Sequence, residues 1–200
     1  GAMPSEEAVD EAHWFQAADA GDAKQLRELA ETHVSHCDLA DCRGLTALMI
    51  AAARGHEDCV LALLRRGASL EAKDVRGWTA LMHAAYHGRE GCVELMADRG
   101  ADLNTRDFLG TTPVMRAALG GHDRCLQRLL AHGADIRIRD NLGIEARTHA
   151  RRSGHEDCAR LLSDAQRKMR ARQCSRGSRR SGCGSHRGSC GRAGSTETCH

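Results

Sequence analysis

Ten cysteines and twelve histidines stand among 200 residues, and thiolate and imidazole are the usual donors for zinc and other soft metals. Their spacing decides whether that chemistry is open to them. Cys59, Cys92, Cys125 and Cys158 recur every 33 residues, each on the apolar stripe of a helix-like segment. Successive copies of such a segment lie about 10 Å apart, a helix diameter, whereas a disulfide needs Cα separations under about 7 Å. These thiols therefore read as small apolar packing groups. His56, His122 and His155 each follow a glycine in the same register, which makes them a repeat feature and not a constellation. No Cys-x-x-Cys occurs. Cys174, Cys183, Cys190 and Cys199, with His186 and His200, are spaced 9, 7 and 9 apart and match no zinc pattern. The expectation is a protein with no catalytic group, no metal and no cofactor.

Composition narrows the architecture. Hydrophobic residues make up 41% of the chain, which can support a core, but only two Trp, one Tyr and two Phe are present. That core must be built from Ala, Leu, Val, Met and Cys, which suits helices that approach closely. Apolar runs are too short to span a membrane. The N-terminus, "GAMPSEEAVDEA", lacks the basic-then-apolar order of a signal peptide. Gly1-Ala2-Met3 reads as the scar of a cleaved expression tag. The net charge of +2 hides a gradient: residues 1–42 hold ten acidic and two basic residues, and residues 167–200 hold nine basic and one acidic. A near-neutral body with a basic tail follows.

The helices that position these residues repeat. "DCRGLTALMIAAARGHEDCVLALLRRGASLEAK" (41–73) aligns without gaps with 74–106 and 107–139, and a decayed copy fills 140–166. Upstream, "WFQAADAGDAKQLRELA" (14–30) matches the helical part, so a first unit spans about 12–40. Asp41 to Gly44 reads as a turn. Thr46 reads as a helix N-cap, with Leu48, Ala51 and Ala52 as the apolar stripe. Gly55 ends that helix in the left-handed conformation. Glu57 and Asp58 open a second helix at the favourable end of its dipole, and Gly67 stops it.

These units resemble the ankyrin repeat: D-x-x-G-x-T-P-L-H-x-A-A, then G-H, a Leu-rich helix and G-A-D. The resemblance covers 12–166, after an acidic lead-in at 1–11. It implies an all-α solenoid of helix-turn-helix units with short β-turn fingers. The family's T-P-L-H reads T-A-L-M at Thr46–Met49 and Thr79–Met82, and T-P-V-M at Thr112–Met115. The family His, which resemblance implies bonds to the Thr hydroxyl, is thus Met, forgoing one hydrogen bond per repeat worth about 1 kcal/mol. Glu145 and Arg147 replace Thr and Leu in the last copy, the polar form expected of a terminal repeat. Asn104 resembles an asparaginyl hydroxylase site, but with Met96 in place of the favoured Leu it reads as a loop Asn bonded to backbone. Residues 167–200, rich in Arg, Gly, Ser and Cys, are expected to be a disordered tail.

The resemblance also implies that partners bind at the finger tips and the concave face of the first helices. The variable positions there include Arg43, Leu45, Arg54, Arg76, Trp78, Tyr86, His87, Phe108 and Leu109, with Arg106 on the rim. Trp78 corresponds to Leu45 and Thr111, and Tyr86 to Ala53 and Leu119. Such variation in size suggests surface positions. Aromatic side chains inside a basic rim suit an acidic protein segment carrying apolar anchors. The expected function is non-catalytic protein–protein recognition as scaffold, adaptor or inhibitor. The expected state is a monomer in cytoplasm or nucleus, bound to neither membrane nor nucleic acid. The alternative is RNA or acidic-surface binding through the basic tail.

Overall fold

The structure, a computed structural model, describes residues 6–32 and 37–177. Ten α-helices follow one another, and no named strand occurs among the described residues. Helix α1 (Glu6–Ala20) pairs with α2 (Ala23–Thr32), α3 (Ala47–Arg54) with α4 (Glu57–Arg65), α5 (Ala80–Tyr86) with α6 (Glu90–Asp98), and α7 (Pro113–Gly120) with α8 (Asp123–Ala131). Helices α9 (Ala146–Arg152) and α10 (Glu156–Gly177) complete the order. The first helix of each unit packs on the first helix of the next, from α1 through α9, and α2, α4, α6 and α8 pack likewise as a second layer. This is the helix-turn-helix solenoid expected of the sequence.

The chain divides into two units at Gln166 and Arg167. Residues 167–177 are helical as part of α10, so the expectation of disorder from 167 onward is corrected there. The remainder of the expected tail, 178–200, lies outside the described residues.

Local chemistry explains each boundary. The hydroxyls of Thr46, Thr79 and Thr112 accept from the amides of Met49, Met82 and Met115, satisfying donors that every helix start leaves open. The cap bond thus survives with Met in place of His. Glu145, at the equivalent position of α9, makes no such bond and instead pairs with Arg139 at 2.9 Å. Gly55 (φ 88°) closes α3 by donating to the Ala51 carbonyl. The core between the layers is made of Ala, Leu, Met, Val and Cys. Cys59, Cys92, Cys125 and Cys158 are buried in it, and burial pushes their thiols up, to about 11, 12 and 11 for the first three.

Seams between repeats come from the Gly-His position. The His56 ring bonds the Asp19 carbonyl at 3.0 Å, and the His122 ring bonds that of Tyr86 at 2.9 Å. A Cβ on Gly88 would meet the His122 ring at 2.5 Å, so glycine is what lets the ring lie there. The third repeat has Arg89 at this position, and its Nε donates to the Ala53 carbonyl at 3.0 Å.

Candidate protein-binding face

Each finger is a turn built around one aspartate. Asp74 Oδ1 accepts from the amides of Arg76 and Trp78, both at 2.8 Å, and the Gly77 amide donates to the Asp74 carbonyl at 2.8 Å. Asp41, Asp107 and Asp140 repeat the arrangement. Neighbouring fingers are tied amide to carbonyl: Val75 to Arg43 at 3.1 Å, Phe108 to Arg76 at 3.4 Å and Asn141 to Leu109 at 3.0 Å.

The second carboxylate oxygen of Asp74, Asp107 and Asp140 reaches the inner helix. Asp74 Oδ2 meets His83 Nε2 at 3.2 Å, Asp107 Oδ2 accepts from Arg116 and from the Thr111 hydroxyl, and Asp140 Oδ2 meets His149 Nε2 at 2.8 Å. Ile50 holds the matching position in the second repeat, where no such link forms. Burial acts to raise the pKa of Asp74, but the Trp78 and Arg76 amides with the Arg76 charge outweigh it and hold the carboxyl below its usual range. The hydrogen bonds from Thr111 and Arg116 do the same for Asp107 against its burial. Burial pushes the His83 imidazole down to about 4, against the pull of Asp74, so a neutral ring donates to the carboxylate.

Trp78 departs from its expected role. It is 6% exposed and buried, not a surface anchor. The guanidinium groups of Arg76 and Arg116 each lie 4.0 Å from its ring centroid, and Tyr86 meets it edge-on at 5.3 Å. The physical reason lies in the next repeat. Thr111, at the position matching Trp78, is small and bonds to Asp107, while Arg116 spans from Asp107 to the Trp78 ring. Arg116 Nε has no hydrogen-bond partner. The guanidinium is compensated by the ring face, a cation–π contact worth about 2 kcal/mol when desolvated.

The other expected residues divide between two areas. Arg43, Leu45, Arg54, Arg76 and His87 line one groove of about 690 Å³. Its floor adds Phe15, Met49, Ile50 and His83, and its rim adds Arg89, Asp19 and Asp41. Arg54 pairs with Asp19 at 2.6 Å and Arg43 with Asp41 at 3.2 Å, both in exposed positions. Phe108 and Leu109 lie apart from this groove on the fourth finger, 69% and 64% exposed, and Tyr86 is 39% exposed. Arg106 is turned back, donating to the carbonyls of Gly110 and Arg139 and to Asn141 Oδ1. Asn104 bonds to backbone as expected of a loop residue, its Oδ1 accepting from the Asp135 amide.

Reasoning on the sequence missed His83, Arg89, Arg116 and Leu142, the last 82% exposed on the fifth finger. Two signals were present. Polar residues recur nine positions after the finger aspartate, as His83, Arg116 and His149, and Arg89 breaks the Gly-His pattern. Among the described residues no group of three or more His, Cys, Asp or Glu could hold a metal ion. Among them, too, no helix is long and apolar enough to cross a membrane.

Comparison with known proteins agrees with this architecture. A family model described as ankyrin repeats (3 copies) matches residues 14–107. A second, ankyrin repeats (many copies), matches 96–150. The chain is 43% identical over 53 residues to the potassium channel AKT2/3 of Arabidopsis thaliana, a stretch that is 26% of this chain and only 6% of that protein. With helix pairs stacked in register and family matches running from residue 14 to residue 150, this chain belongs to the ankyrin repeat family.

Proposed function

We propose that this chain is a non-catalytic recognition module that binds an acidic, apolar-anchored segment of a protein partner through its fingers and inner-helix face. Ankyrin repeats are in general protein–protein interaction modules. One observation carries the finer reading: among the described residues the exposed large apolar side chains, Val75, Tyr86, Phe108, Leu109 and Leu142, all lie on fingers or at an inner-helix end, and the exposed arginines Arg43, Arg54 and Arg76 occupy such positions in the second and third repeats. Exposed aromatic and apolar side chains gathered on one face are the usual material of binding hot spots. The module acts as a monomer in cytoplasm or nucleus, where thiols such as the exposed Cys42 stay reduced.

The test is affinity capture followed by mass spectrometry, comparing the intact chain with Phe108→Ala. A specific protein lost on substitution supports the reading. Capture dominated by nucleic acid, with the steep salt dependence of phosphate contacts, moves the function to the basic tail.

A further inference from the structure

The binding face is not uniform along the array. Around the first three repeats the groove carries four arginines, Arg43, Arg54, Arg76 and Arg89, against two aspartates, Asp19 and Asp41. Arg89 is a cation where the other seams use His; it lies over Gly55 of the preceding repeat and donates there to a backbone carbonyl. Arg76 is held in place. Its guanidinium stacks on Trp78 and bonds Asp74 at 3.3 Å, yet 56% of the side chain is exposed. A cation fixed before binding loses little conformational freedom when a carboxylate arrives. At the second tip position the sequence then changes from Arg43 and Arg76 to Leu109 and Leu142. Phe108, Leu109 and Leu142 stand on the fourth and fifth fingers with no charged residue between Asp107 and Gly110 or between Asp140 and Gly143.

The geometry points to a two-part site: one partner peptide places clustered carboxylates over the groove of repeats one to three and large apolar side chains on the tips of fingers four and five. This rests on the proposed recognition function and adds order to it. The occupant is a protein segment whose acidic and apolar residues are separated in sequence and not interleaved. Charge complementarity selects the acidic half, and the uncharged tips select the apolar half. Four repeats at about 10 Å each are spanned by roughly a dozen extended residues at 3.3 Å per residue, so a sixteen-residue peptide reaches both parts. Trp78 is then a positioning residue that acts through Arg76.

A displayed library of random sixteen-residue peptides, selected on the full chain, supplies the probe. The enriched peptides should carry two or more Asp or Glu at one end and two or more large apolar residues at the other. A synthetic copy of the best binder is then measured by fluorescence anisotropy. Arg76→Gln should weaken it at least tenfold, and that effect should vanish when the acidic half of the peptide is replaced by Ser and Gly. Phe108→Ala with Leu142→Ala should weaken it as much, and that effect should vanish when the apolar half is replaced. Should Arg76→Gln disturb folding by thermal melting, Arg54→Gln, whose side chain is 59% exposed, replaces it. Enriched peptides with interleaved charges, or variants that respond to replacement of either half, overturn the two-part site and leave the recognition reading intact. Failure to enrich any peptide overturns both.

Discussion

Trp78 and Phe108 belong to adjacent fingers of nearly identical build, and they face opposite ways. Trp78 is enclosed by Arg76, Arg116, His83 and Tyr86, while Phe108 projects from a tip with 69% of its surface exposed. The difference begins with register: Phe108 directly follows its finger aspartate, where Cys42, Val75 and Asn141 are exposed too, while Trp78 stands four positions after its own, where the following repeat supplies a cover. Arg116 reaches back to cover Trp78, and Asn141 bonds only the backbone of Phe108, at 2.9 Å. A column of positions that varies in size can therefore still be interior, because the residue that fills each gap comes from the next repeat. Leu45, Trp78, Thr111 and Ile144 are such a column, half-buried to buried throughout.

The largest test of that contrast is Trp78→Ala. Truncating a buried aromatic costs about 3–5 kcal/mol, and here it also strips the cover from a buried guanidinium. The urea midpoint should fall steeply, and an unchanged midpoint would return Trp78 to the surface. Close behind is Asp107→Ala, which leaves Arg116 buried without its carboxylate. Removing one member of a buried pair costs about 3 kcal/mol or more. Asp41→Ala gives up the same finger amide bonds, but its ion-pair partner Arg43 is 69% exposed, so the loss should be about 1–2 kcal/mol. Equal losses at the two fingers in urea unfolding would erase the distinction between them.

Acid sharpens the same contrast. The folded His83 titrates near 4 and the unfolded side chain near its ordinary 6.5, so below pH 6.5 the unfolded chain takes a proton that the folded chain refuses. Stability is complete above pH 6.5 and declines as pH falls toward 4, by at most about 1.4 kcal/mol per pH unit. The carboxyls of Asp74, Asp107 and Asp140, held low in the fold, add their loss only as pH drops below the ordinary aspartate value near 4. Thermal melting of His83→Gln should show a smaller first decline, the remainder coming from His87, which burial and the nearby Arg89 also push down, and keep the second.

The smallest effect on stability is expected at the exposed tips. Phe108→Ala and Leu142→Ala should each shift the urea midpoint by no more than about 0.5 kcal/mol allows. A loss of several kcal/mol would show that these side chains pack between fingers.

The fold was legible in the sequence because each boundary is set within one repeat. Thr46 caps its own helix, Gly55 closes it, and Cys59 lies on the buried stripe that periodicity marks. The groove arginines Arg43, Arg54 and Arg76 were legible for the same reason, since finger and helix-end positions follow from register. Trp78 was misjudged because its cover, Arg116, comes from another repeat. His83 and Arg89 escaped notice because their roles depend on what sits beside them in space: Asp74 across the finger for one, and Ala53 of the preceding repeat for the other.

The links that tie one repeat to the next have a bearing on how the chain reaches this state. Polar side-chain bonds between repeats join residues 31 to 38 apart, as in Ser69 to Asp38, Asp135 to Asn104 and Arg128 to Glu90. No such bond in the array ties its first unit directly to its last among the described residues. The chain entropy lost in closing each of these loops is therefore nearly the same at every step. Any adjacent pair of repeats can serve as the nucleus, and growth from it proceeds by equal increments in either direction. The Arg116–Trp78 stack forms only when the third and fourth repeats dock, so its contribution enters at that step.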